Sequence, residues 1–124
     1  MMMAPRKVQR FRVESGFPFS VFIPQSLTKN HKLRTLGEGG CGFFAPARDA
    51  NLVKHPEIEV RFNIGGRFLS FKATVQYCTF LPKQGANYFG VRFADVNSRQ
   101  EVMLKTIIQA ALKKGHLIGI ELPA

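Results

Sequence analysis

Apolar and polar residues alternate along most of this chain, and the alternation predicts strands. Ile58, Val60, Phe62 and Ile64 interleave with Glu57, Glu59, Arg61 and Asn63, and Gly65-Gly66 then turns the chain. Two glycines between alternating runs are a strong hairpin signal, because the tight hairpin turns need positive φ. The return run puts Leu69, Phe71, Ala73, Val75 and Tyr77 on one face and Ser70, Lys72, Thr74 and Gln76 on the other, which predicts a β-hairpin over 57–80. Upstream, Phe17, Phe19, Val21 and Ile23 alternate between Pro18 and Pro24, which sit at the edges or limits of a strand. Lys32 to Leu36 alternates as well. The glycines from Gly37 to Gly42 allow a bend or bulge before Cys41 to Ala45 continues as a short strand. Pro46 to Pro56 has the composition of a connection, and Tyr88 to Phe93 alternates once more after a loop at 82–87.

The period then changes. Ser98-Arg99-Gln100-Glu101 has the spacing of a capping box, and Leu104, Ile107, Ile108 and Ala111 follow at helical intervals, with Glu101 and Lys105 four apart and Gly115 as a stop. Strands followed by one terminal helix predict a β-barrel or half-barrel with the helix packed on an open side. No repeat or interdomain linker interrupts the pattern.

With 124 residues, the chain has the length of one domain that buries its own core without disulfide or metal. Twelve phenylalanines suit strands and a barrel interior. Cys41 and Cys78 are too few and too far apart for a disulfide framework and read as buried free thiols. His31, His55 and His116 are scattered without ligand spacing, so no metal is expected and the histidines are placed at the surface. The start of the chain passes at once from Met1–Ala4 to Pro5 and basic residues, unlike a secretory leader, and no charge-free run reaches the ~20 residues of a spanning helix. Stable membrane insertion is not expected, and the assignment is cytoplasmic.

Charge narrows the partners. The net charge is +10, and residues 1–36 carry seven basic side chains (Arg6, Lys7, Arg10, Arg12, Lys29, Lys32 and Arg34) against Glu14 alone. An anionic partner follows from this balance, although charge alone does not choose among nucleotide, nucleic acid and acidic lipid. Gly37-x-Gly39-x-x-Gly42 matches the letters of a dinucleotide-binding loop, but that loop must open a helix, and Phe43-Phe44-Ala45-Pro46 does not form one. No nucleophile and base stand in a catalytic arrangement, so an enzyme is not expected.

Two elements together point further: Arg6-x-x-x-Arg10 at the basic start, and Thr35-Leu36-Gly37-Glu38-Gly39-Gly40. The pair resembles the signature of the PilZ domain family, R-x-x-x-R followed by [D/N]-x-S-x-x-G on a later strand. The first half fits without change. The second keeps the frame and the final glycine, with Thr35 in place of the acid or amide and Gly37 in place of the serine. The resemblance covers roughly residues 6–114, including the Gly90-Val91-Arg92-Phe93 run before the helix.

The resemblance implies a mainly β protein, a six-stranded antiparallel barrel with a C-terminal α-helix. It divides the chain into a flexible basic arm over 1–12, the barrel and helix over 13–116, and a tail over 117–124. It further implies a bacterial receptor for cyclic di-GMP, held by Arg6, Arg10, Thr35, Gly37 and Gly40 with Arg12 and Arg34 as electrostatic support, and signalling to an unidentified protein partner. No other cofactor is implied. Two other readings stay open: a degenerate PilZ adaptor that has lost the messenger and acts by protein contact, and a small basic barrel that binds nucleic acid through exposed aromatics.

Overall fold

Eight strands form one continuous antiparallel sheet that curls until it meets itself. The computed structural model describes residues 9–14, 20–64 and 67–121. In chain order the strands are β1 (Gln9–Val13), β2 (Val21–Phe22), β3 (Asn30–Gly37), β4 (Gly40–Pro46), β5 (Ile58–Ile64), β6 (Arg67–Leu81), β7 (Ala86–Ala94) and β8 (Leu117–Glu121). A 3-10 helix, Ala47–Lys54, joins β4 to β5, and the α-helix α1 (Ser98–Lys113) joins β7 to β8. The order across the sheet is β2-β5-β6-β7-β4-β3-β1-β8, and β2 also pairs with β3. That pairing closes β2 to β7 into a six-stranded barrel, as the family resemblance implies.

Closure rests on a short element. Val21 pairs with Phe62 on one side and His31 on the other, and Phe22 pairs with Arg61 and Asn30, so two residues bridge the two edges of the sheet. The hairpin of β5 and β6 runs from Ile58 opposite Ala73 to Ile64 opposite Arg67. Its Gly65-Gly66 turn lies outside the described residues, as do Phe17, Pro18 and Phe19 of the predicted upstream strand. The alternation of that strand continues into Val21 and Ile23, both fully buried.

The core is aromatic. Phe43, Phe62, Phe71 and Phe89 are at most 1% exposed, and Phe71 stacks on Phe93 with centroids 4.3 Å apart. Each such ring contributes about 1.5–3 kcal/mol by leaving water. From α1, Leu104, Ile108 and Ala111 pack onto this core with Ile107 half-buried beside them.

Several expectations are corrected. The basic arm expected over 1–12 and the tail expected over 117–124 both contribute strands: β1 pairs with β8 from Gln9 opposite Glu121 to Val13 opposite Leu117. The reason lies in two side chains, since Phe11 and Leu117 are buried while the charges between which Phe11 sits hide its alternation. The segment Pro46 to Pro56, expected as a connection, holds the 3-10 helix. Asn97, one residue earlier than predicted, caps α1, accepting from the Gln100 amide at 2.8 Å while the Gln100 side chain accepts from the Asn97 amide at 2.9 Å. Shifting the box by one residue lets the Gln100 side chain also donate to the Ser70 carbonyl at 2.7 Å, tying the helix start to β6.

His31 is a further correction. It is 3% exposed, packed against Phe43 with ring centroids 5.3 Å apart. Its Nε2 lies 2.9 Å from Ser26 Oγ, whose single proton goes to the carbonyls of Ile23 and Thr28. Nδ1 is buried with no partner within hydrogen-bond distance. Nearby, the buried Asp49 accepts from the Leu27 amide at 2.6 Å, which fastens the 24–28 loop to the 3-10 helix. Cys41 is buried as expected, whereas Cys78 is only partly so.

Candidate functional site

The barrel has an outer face on which the two halves of the sequence signature meet. Because Leu33, Leu36, Cys41, Phe43, Phe89 and Val91 point inward, the intervening positions face out. Registration then builds one row across five strands: Arg12 on β1 opposite Thr35 on β3, Thr35 opposite Gly42 on β4, Gly42 opposite Gly90 on β7, and Gly90 opposite Tyr77 on β6. A second row runs Gly37, Gly40, Arg92 and Thr74.

Two tyrosines lie across the glycines. A Cβ on Gly42 would come within 2.6 Å of Tyr88 Cζ and 2.7 Å of Thr35 Oγ1, and a Cβ on Gly90 would collide with the Tyr77 ring. The two rings are 6.0 Å apart at 31°, and Phe44 meets the other side of Tyr88 at 5.4 Å. Thr35 Oγ1 and Tyr88 Oη share a hydrogen bond of 3.2 Å.

Tyr77 reaches this face through a bulge. Val75 pairs with Val91, but Tyr77 pairs with Gly90, so Gln76 is an extra residue that reverses the alternation of β6. The sequence reading puts Tyr77 on the apolar face with Val75. It is instead 51% exposed, and Cys78 takes the inward position opposite Phe89.

Electrostatics join β1 to the tyrosines. Burial pushes the Tyr88 phenol above its ordinary value, the bond from Thr35 and the positive charge of Arg10 pull the other way, and the neighbouring Tyr77 adds to the rise. Burial also drives the Cys41 thiol up to about 12 against the pull of Arg10. The charge of the half-buried Arg10 thus acts on both Tyr88 and Cys41, the residue that follows the second motif.

The remaining expected residues have other surroundings. Arg12 is ion-paired with Glu14 at 2.9 Å, and Arg34 is exposed at the irregularity between Leu33 and Thr35. Gly37 and Gly40 face each other across the Glu38-Gly39 turn. Gly40 has a structural duty, since a Cβ there would run into the Val91 carbonyl. Arg6 lies outside the described residues. The motif turn is also tied to α1, because Lys105 Nζ lies 3.0 Å from Glu101 and 3.7 Å from Glu38.

A sequence profile of the PilZ domain matches residues 6–110, most of the chain. The chain belongs to the PilZ domain family. Its fold resembles an uncharacterized Legionella protein (TM-score 0.60, 10% identity, covering 85% of this chain and 95% of that one). It also resembles K. pneumonia MrkH, solved in complex with c-di-GMP (TM-score 0.70, 10% identity, 92% and 55% covered), and the Bacillus subtilis inhibitor of motility MotI/DgrA (0.62, 14%, 91% and 54%). This PilZ chain spans about half the length of the MrkH and MotI chains. No curated protein matches it by sequence.

Gly42, Gly90, Tyr77 and Tyr88 are the residues of this face that sequence reasoning missed. A signal existed for the glycines: Gly42 and Gly90 each fall on the outward position of an alternating run, where a missing side chain leaves backbone open to close approach. Among the described residues, no group of three or more His, Cys, Asp or Glu could hold a metal, and no helix is long and apolar enough to cross a membrane.

Proposed function

We propose that this PilZ domain is a receptor for cyclic di-GMP and passes the signal to a protein partner. The observation that carries the reading is the convergence of Arg10 with Thr35, Tyr88 and the glycine row on one outer face. Cyclic di-GMP carries two phosphates and two guanines. A guanidinium forks onto phosphate oxygens or onto O6 and N7 of guanine, and also stacks on the base. Arg10 supplies that group from β1, and Arg6, four residues earlier in the motif, supplies a second. The glycine row lets the Tyr88 and Tyr77 rings lie close against the sheet, which leaves a flat surface beside Arg10. The c-di-GMP complex of MrkH, which shares the fold, supports the same ligand class here.

Two exposed apolar residues are candidates for the output side, and one of them, Ile118, pairs with Arg12. Val102 on α1 is 63% exposed and Ile118 on β8 is 45% exposed, apolar surface of the kind that protein partners cover. These residues also support the adaptor reading, in which the domain works without the messenger. So does the second motif: Gly37 has no side chain, and the Thr35 hydroxyl is already engaged by Tyr88. Loss of two ligand hydrogen bonds weakens binding ~10-fold to ~1,000-fold.

Isothermal titration calorimetry with cyclic di-GMP, with GTP and a short single-stranded oligonucleotide as controls, separates the readings. Micromolar or tighter binding of the cyclic dinucleotide alone supports the receptor. Absence of heat from all three leaves the adaptor, and binding of the oligonucleotide alone restores a nucleic-acid function.

A further inference from the structure

We propose that Tyr88 and Tyr77 are the base-reading residues of this face, the Tyr88 hydroxyl standing in for the side-chain groups that Thr35 and Gly37 fail to supply and the Tyr77 ring stacking on a guanine. This rests on the receptor reading above and names which side chains give it affinity.

Consider what the two positions of the second motif offer. Gly37 offers backbone only, and Thr35 places its Oγ1 3.2 Å from Tyr88 Oη. A phenol hydroxyl has one donor and acceptor capacity besides; Thr35 takes one bond and the neighbouring Tyr77 hydroxyl draws on the donor, so a ligand acceptor would take the place of Tyr77 there. Thr35 thereby positions Tyr88, and the hydrogen-bonding function moves from β3 to β7. A phenol is protonated at neutral pH, and burial raises its pKa further, so Tyr88 carries a donor proton.

The glycines explain why the tyrosines lie where they do. Glycine weakens a strand, yet Gly42 and Gly90 stand side by side in the centre of the row, on neighbouring strands. Any side chain at either position would displace Tyr88 or Tyr77. The result is an aromatic strip of Phe44, Tyr88 and Tyr77 laid against backbone beside the charge of Arg10. Tyr77, half in solvent, presents a ring surface of the type on which nucleobases stack.

The chain lends itself to a direct test, because it holds two tyrosines and no tryptophan, so both tyrosines lie at this site. With ring-labelled tyrosine, the NMR spectrum contains signals from these two rings alone. Cyclic di-GMP should shift both sets in the unsubstituted protein. Tyr88→Phe keeps the ring and should weaken binding about 3- to 10-fold. Tyr77→Leu removes the stacking surface and should weaken it about 5- to 100-fold. Calorimetric binding that leaves both ring signals in place, with both variants at unsubstituted affinity, overturns the assignment while the receptor reading survives. Absence of binding by the unsubstituted chain overturns both.

Discussion

The ring of Tyr77 occupies the space that a side chain on Gly90 would need, on the outward side of the strand pair β6 and β7. The ring belongs to a side chain that can swing into solvent, so Gly90→Ala should turn Tyr77 away and leave the barrel nearly unchanged in stability. Gly40→Ala meets the Val91 carbonyl, which is backbone and cannot move alone. It should cost about 1–3 kcal/mol or more. Urea unfolding of the two variants checks the contrast; equal losses would mean that Tyr77 is held as rigidly as the ladder.

Arg10→Ala should lower cyclic di-GMP affinity by about 10- to 100-fold, the range for losing a hydrogen bond to a charged group. The strand that carries it is anchored by the buried Phe11 and by five residue pairs with β8, so circular dichroism should show the barrel intact. Unchanged affinity in a folded variant removes Arg10 from the site.

His31 makes stability depend on pH. Burial lowers its pKa below the ordinary 6.5, opposed by Asp49 and the Phe44 backbone. The folded state then binds fewer protons than the unfolded one between the lowered value and 6.5. The contribution is complete above about pH 6.5 and is lost as pH falls toward the folded value. The urea midpoint should drop on acidification, and His31→Gln should flatten that drop. An NMR titration placing His31 at or above its ordinary value would falsify this account.

Thiol chemistry should distinguish the two cysteines. The Cys41 thiol, pushed up to about 12 and fully buried, should resist alkylation at neutral pH until the protein unfolds. Cys78 is partly exposed with a pKa raised by burial alone, and should react slowly in the native state. Mass spectrometry after alkylation, with and without denaturant, reads one modification and then two.

The helix cap offers a direct comparison. Asn97→Ala should cost about 0.5–2 kcal/mol, because it removes the acceptor for the Gln100 amide. Ser98→Ala should have little effect, since Ser98 is the first residue inside the helix and not its cap. Thermal denaturation of both variants settles which residue closes the box.

What the sequence determined by itself was everything governed by local period. The β5 and β6 alternation, the β7 run, the helical spacing of Leu104, Ile108 and Ala111, and the stop at Gly115, whose φ of 73° suits glycine, all follow from how side chains repeat along one segment. The PilZ signature was legible too, because its residues are local in sequence.

Tertiary structure decided whatever depends on a partner strand. Two residues of β2 close the barrel by pairing on both sides, which no alternation within β2 announces. The bulge at Gln76 turns Tyr77 outward because β7 sets the register on that side. Ser26 and Phe43 draw His31 inside, and the buried Phe11 and Leu117 convert two charged-looking ends into paired strands. The row from Arg12 to Tyr77 includes positions as far apart in sequence as Arg12 and Gly90 and exists only once five strands are in register. Side-chain period is a property of one strand, whereas a site on a barrel wall is a property of the pairing between strands.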